Sequence, residues 1–205
     1  ELNCSHCPLI TNFPNINGLK KLYCCSCSLL TYIPNIKGLK DLHCYLNLSL
    51  TIIPNIKGLQ FLYCSNNLLL TNIPNIKGLK RLDCCNCPLL TNIPNIAGLK
   101  SLRCSNNVLT SIPNITGLKI LHCPSCPLLI TIPNIKRLEI LYCNNCPLLM
   151  YIPKNITYNE NLLKLPYEDC KYLTSKKMDK LYNNIYYLWK SYKLKKYALY
   201  LEKEY

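Results

Sequence analysis

Leu79–Gly98, LKRLDCCNCPLLTNIPNIAG, is one copy of a sentence of about twenty residues that the chain writes eight times in succession. Self-similarity at a fixed short period constrains a fold more than any single motif, because each copy must stack on the next to bury its apolar side. With the unit numbered from Leu79, apolar or Cys residues fall at Leu79 (slot 1), Leu82 (4), Cys84 (6), Cys87 (9), Leu89 (11), Ile93 (15) and Ile96 (18). Leu82-Asp83-Cys84 alternates in, out, in, the period of a strand. Slot 4 is Leu2, Leu22, Leu42, Leu62, Leu82, Leu102, Leu121 and Leu141, and slot 6 is Cys4, Cys24, Cys44, Cys64, Cys84, Cys104, Cys123 and Cys143. The spacing is twenty residues, except in the rung Leu99–Gly117, which is one residue shorter.

A strand of about five residues and two corners leave about ten residues for the return, too few for an ordinary helix. The recurring proline, from Pro14 to Pro133, favours extended backbone there. The expected architecture is a β-solenoid with parallel strands on one face and extended, non-helical segments on the other. Eight rungs at about 4.8 Å each would make a rod of roughly 35–40 Å. Slot 9 holds Cys7, Cys27, Asn47, Asn67, Cys87, Asn107, Cys126 and Cys146. Asn and Cys share the ability to donate a hydrogen bond, so this column is expected to satisfy buried carbonyls where the chain leaves the strand. Thr11, Thr31, Thr51, Thr71, Thr91 and Thr110 suggest a second polar column, and all six glycines mark the turn back into the strand. Arg137 stands where the seventh rung would have Gly, which predicts a changed turn.

The solenoid is expected over residues 1–153. It starts at slot 3 of a rung without an N-terminal cap, as a piece of a longer protein would. Residues 154–205 read as a degenerate last rung followed by a Lys/Tyr-rich helical tail. Met178, Leu181, Ile185, Leu188, Tyr192 and Leu199 have amphipathic helical spacing and suit a helix capping the open end. Within it, Ile185–Lys195 loosely resembles a calmodulin-binding IQ motif, with Tyr186 and Ser191 departing from it. The net charge is +14, with thirteen basic and four acidic residues in 1–153 and eleven and six in 154–205. No apolar run reaches membrane-spanning length. Thirteen of the sixteen cysteines occupy inward slots 6 and 9, which implies free, buried thiols and hence a reducing compartment, cytosol or nucleus. The sequons at Asn3, Asn47, Asn114 and Asn155 are then uninformative.

Five C-x-x-C pairs, such as Cys84/Cys87 and Cys143/Cys146, invite a zinc reading. Slot 9 accepts Asn in three rungs with no compensating ligand, so the pairs are read as structural and no metal or other cofactor is expected. Cys25, Cys85, His43, His122 and Asp83 read as outward-pointing, but an open sheet face excludes no water and no third group orients a histidine. No catalytic residue is expected. The outward slot 5 is different: Asn3, Tyr23, His43, Tyr63, Asp83, Arg103, His122 and Tyr142 change at every rung while the inward slots stay monotonous. Slots 3, 7 and 8 add Lys21, Tyr45, Phe61, Arg81, Asn86, Asn106, Asn144 and Asn145 beside it. Tyr, His and Arg favour binding hot spots, and Asp83 and Arg103, one rung apart, are expected to pair. Lysines 37, 57, 77 and 136, with 20, 40, 80, 100 and 119, line one edge. That edge suits a solubility stripe or a polyanion. The aromatic interleaving that single strands of nucleic acid want is missing there, so nucleic acid is disfavoured as a partner.

The pattern L-x-x-L-x-L-x-x-(N/C)-x-L, repeated over residues 1 to about 153, resembles the leucine-rich-repeat family. Its length and Ile-Pro return segment look like the short bacterial-effector type, which the rung Leu99–Gly117 fits directly. The near-identical, Cys-rich wording with a Lys/Tyr/Asn-heavy tail looks most like the repeat proteins of giant amoeba-infecting viruses (mimivirus-like). The resemblance implies a non-enzymatic scaffold in the host cytoplasm that binds a protein partner, a host protein being one candidate, through the strand (concave) face. The contact residues would be Tyr23, His43, Tyr63, Asp83, Arg103, His122 and Tyr142. Alternatives are the substrate-recognition arm of a ubiquitin-ligase-type assembly and a polyanion binder working through the lysine edge.

Overall fold

The computed structural model describes residues 1–150. Within them eight strands form one parallel sheet in chain order: β1 (Leu2–Asn3), β2 (Lys21–Tyr23), β3 (Asp41–His43), β4 (Phe61–Tyr63), β5 (Arg81–Asp83), β6 (Ser101–Arg103), β7 (Ile120–His122) and β8 (Ile140–Tyr142). Register is exact from slot to slot: Leu22 pairs with Leu42, Leu42 with Leu62, and Leu102 with Leu121 across the shortened rung. The strands are two or three residues long, shorter than the sequence pattern suggests, because the chain turns right after the sixth slot. No helix occupies the return side of any rung among the described residues. The degenerate last rung, the tail helix and the IQ-like stretch lie outside them.

The inward slots form one continuous core. In the fifth rung Leu79, Leu82, Cys84, Cys87, Ile93 and Ile96 are all buried. The eleventh slot is a correction. Leu89 is 37% exposed, and Leu90, in the twelfth slot, takes the inward place at 0%. A tight turn causes the shift: the Leu90 amide donates to the Cys87 carbonyl at 2.9 Å, and the same bond recurs from Leu30 to Cys27 and from Leu70 to Asn67. This turn takes up one extra residue and swings its tip into solvent. The rung Leu99–Gly117 lacks that residue, and there Leu109, in the eleventh slot, faces inward.

A second correction concerns the corner after the strand. Cys25 and Cys85, in the seventh slot, are buried at 2% and 8% rather than outward. The eighth slot explains why. His6, Ser26, Leu46, Asn66, Asn86, Asn106, Ser125 and Asn145 all adopt left-handed backbone, with φ between 54° and 60°. That single residue breaks strand alternation and turns the chain, so slots 6 and 9 both face the core. Its amide stays in the ladder, as where Asn66 donates to the Cys85 carbonyl at 2.8 Å. Asn tolerates this conformation best, and Asn86 and Asn106 extend the column through side-chain amide bonds of 3.0 and 2.8 Å.

The return turn follows the glycines. Leu39 donates to Ile36 at 3.2 Å around Lys37-Gly38, and Gly38 has φ 88°, the arrangement of a type II turn. Arg137 is absent from the residues with positive φ, so the seventh rung does close differently, as its missing glycine implies.

The register of the core is testable at one pair of neighbours. Leu90→Ala removes a fully buried side chain and should cost about 2–5 kcal/mol in chemical denaturation, whereas Leu89→Ala should stay within about 0.5 kcal/mol of the parent. Equal losses would refute the assignment of the twelfth slot.

Candidate functional site on the strand face

Because the strands are short and in register, every outward side chain stands directly over its counterpart one rung away. Six of the seven residues expected to bind are half-buried and Arg103 is exposed. They fall into three contact groups. Tyr23, His43 and Tyr63 stack, with ring centroids 4.5 and 4.3 Å apart and planes inclined by 24° and 19°. Asp83 and Arg103 form an ion pair at 3.4 Å, as their spacing implies. His122 lies 4.1 Å from Tyr142 with the rings tilted by 36°. Together the three groups run from β2 to β8.

Residues beside the column hold these groups in place. Asp41 Oδ1 is buried and lies 3.2 Å from His43 Nε2 without a directed hydrogen bond. The Arg81 guanidinium donates to the Tyr63 hydroxyl at 3.4 Å. The Ser65 hydroxyl donates to Asp83, which also accepts from the Cys85 amide at 3.3 Å. Burial, and then the Arg103 guanidinium, lower the His122 pKa, which favours the neutral ring.

Under this face runs a ladder of inward donors. Asn67 donates to the Cys44 and Cys64 carbonyls at 2.9 and 2.8 Å, while its Oδ1 accepts from the Asn47 amide at 2.8 Å. Where slot 9 is Cys, the thiol makes the same reach: Cys87 Sγ donates to the Cys64 carbonyl at 3.3 Å, and Cys27 Sγ to the Cys4 carbonyl at 3.2 Å. The slot-9 thiol of each C-x-x-C pair thus donates to a carbonyl. Among the described residues no group of three or more His, Cys, Asp or Glu side chains is arranged to hold a metal ion.

Cys25 cannot serve as the outward nucleophile its position suggested. It is buried, and burial raises its thiol pKa, which disfavours the reactive thiolate. The lysine edge is partly structural: Lys40 Nζ donates to the Gly58 carbonyl at 3.2 Å, Lys100 Nζ to the Gly117 carbonyl at 3.5 Å, and Lys119 pairs with Glu139. Two features of the face were missed by sequence reasoning: the left-handed eighth slot and Leu46 within it. The signal for the first was available, since four of the eight residues in that slot are Asn. No helix of the described residues is long and apolar enough to cross a membrane.

No protein-family model matches the chain, and no curated protein gives a significant match. A solved structure does: a functional domain of InlJ from Listeria monocytogenes that includes a cysteine ladder. The match has 22% identity and a TM-score of 0.52, and covers 85% of this chain. The chain spans 47% of that domain's length. At this identity the likeness concerns the fold alone, and together with the parallel solenoid it identifies a leucine-rich-repeat type of fold built on a Cys-rich repeat.

The buried thiols make stability depend on pH in a defined direction. Burial, and then neighbouring thiols, push Cys4 to about 11, and burial pushes Cys87 to about 12, from an ordinary value of 9.0. Burial holds Cys44, Cys64, Cys84, Cys104 and Cys123 well above that value too. A raised folded-state pKa means that the native chain keeps protons the unfolded chain releases. This contribution is complete below pH 9 and is lost as pH climbs through the folded values. Each such thiol lowers stability by up to about 1.4 kcal/mol per pH unit in that window. Denaturation midpoints under reducing conditions should be level from about pH 7 to 8 and fall steeply from about pH 9 to 10; a level profile throughout would contradict burial of the thiols.

Proposed function

We propose that the chain is a non-enzymatic scaffold that binds a protein partner through its strand face, with Tyr23, His43, Tyr63, Asp83, Arg103, His122 and Tyr142 as the contact column. One observation carries this reading. Inward slots are written almost identically in every rung, whereas slot 5 presents a different side chain at each step from β2 to β8, on strands whose register aligns them all. Rings already packed against one another, and an ion pair held in place by Ser65, lose little conformational freedom on binding, which favours affinity. The likeness of fold to a cysteine-ladder domain supports a scaffold role. A host protein as partner and a cytoplasmic setting, which the resemblance to giant-virus repeat proteins implies, belong to the same reading.

Replacement of Tyr63, Arg103 and Tyr142 together by Ala tests it. The Asp83–Arg103 pair is exposed at its arginine end, and Asp83 keeps its bonds from Ser65 and the Cys85 amide, so the circular dichroism should stay that of the parent. Co-purification of a partner from host lysate should be lost, since hot-spot truncations cost about 2 kcal/mol or more each. Undiminished co-purification would remove the strand face from consideration.

A further inference from the structure

One rung of the eight breaks the pattern of its own corner. In the seventh slot the chain has Ser, Cys, Pro or Asn, but the third rung has Tyr45, 39% exposed. In the eighth slot it has His, Ser or Asn, but the third rung has Leu46, 44% exposed at φ 60°. Leucine gains nothing from left-handed backbone, where its Cβ is crowded and it has no polar atom to bond locally. It also leaves a large apolar side chain in water. Two unfavourable features at one residue, with an exposed tyrosine before it, mark a place where local structure has given way to something else. That place adjoins the stacked rings: Tyr45 and Leu46 continue the chain directly from His43, the middle ring between Tyr23 and Tyr63, and Phe61 lies two residues before Tyr63 on the same face of β4.

The charges around the patch are lopsided. Residues 19–98 carry eight basic side chains against two acidic ones, Asp41, whose Oδ1 lies 3.2 Å from His43 Nε2, and Asp83, which pairs with Arg103. Exposed Lys21 and Arg81 bracket one stretch of the slot-3 column, Lys21, Asp41, Phe61, Arg81, which continues in register to Ser101. Three ladder steps separate the two cations, about 14 Å, the span of roughly four residues of extended chain.

We infer that rungs two to five form a docking site for an acidic protein segment, whose apolar side chain sits on Tyr45 and Leu46 and whose carboxylates meet Lys21 and Arg81. The inference rests on the strand-face reading and deepens it. A nucleic acid fits less well, because base stacking needs free ring faces and the Tyr23–His43–Tyr63 stack uses the faces of its own rings. A second copy of this chain fits less well because its net charge of +14 opposes self-association.

The test selects phage-displayed random peptides on the full chain, then measures synthetic versions of the enriched peptides against variants. Enriched peptides should carry Asp or Glu about four residues apart around a large apolar residue. Their affinity should fall at least about tenfold for Tyr45→Ser with Leu46→Asn, and likewise for Lys21→Ala with Arg81→Ala. The first pair restores the wording of other rungs, Ser65 and Asn66, so the fold should survive and Tm should rise. No enrichment over a protein-free control, no acidic bias, or unchanged affinity for the Tyr45/Leu46 variant would overturn the inference. Peptides that ignore this variant but lose binding with Arg103→Ala and Tyr142→Ala would sink the docking site while leaving the strand-face reading intact. Peptides indifferent to every one of these changes would sink both. A single-stranded oligonucleotide that loses tenfold affinity in the Tyr45/Leu46 variant, or concentration-dependent self-association abolished by it, would assign the patch to another occupant and overturn the inference.

Discussion

A side chain in the ninth slot reaches back across each rung boundary and donates to the carbonyl of the sixth-slot cysteine one rung earlier, seven times over, at 2.8 to 3.3 Å. These carbonyls sit where the strand has ended and the ladder can no longer use them. Left buried and unpaired, each would cost about 1–3 kcal/mol. Seven such penalties would rival the whole stability of an ordinary domain, about 5–15 kcal/mol. The chain meets this demand with two residue types. Asn supplies both an amide donor and an acceptor for the slot-9 amide of the rung before; Cys supplies a smaller, weaker donor that also fills apolar space. Their interchange along the column, with the reach to the carbonyl unchanged, fits a position governed by hydrogen bonding and size.

Once the inward slots are committed, the outward ones are left free to vary, and function can be written there without disturbing the stack. The face from β2 to β8 carries rings, an ion pair and charged flanks that make their own contacts between rungs. The same corner that positions the ninth slot needs a left-handed residue in the eighth. Seven rungs fill it with His, Ser or Asn, and the rung with Leu46 does not. The most regular corner of the molecule thus makes its one departure, at Leu46, conspicuous.

Periodicity made the stacked columns of Leu and Cys, the absence of a return helix, the Asp83–Arg103 pair and the donor role of slot 9 legible in the sequence, because each depends on spacing that repeats. Three features were not legible. Leu89 and Leu90 are both leucine, so composition could not say which one a turn would push outward; the bond from Leu90 to Cys87 decides it. Cys25 and Cys85 follow a strand whose alternation would point them to solvent, and only the left-handed residue after them cancels that rule. The stacking of Tyr23, His43 and Tyr63 depends on rotamers, which spacing does not contain.

The ladder itself is tested most directly at Asn67, which is fully buried and serves the carbonyls of Cys44 and Cys64 and the amide of Asn47. Unfolding free energies of the parent, Asn67→Ala and Asn67→Cys, measured by denaturant titration under reducing conditions, separate hydrogen bonding from packing. Asn67→Ala should lose about 3 kcal/mol or more, with Asn67→Cys recovering a substantial part of that loss. An alanine variant within about 0.5 kcal/mol of the parent, or a cysteine variant as damaged as the alanine one, would contradict the claim that slot 9 holds the rungs together.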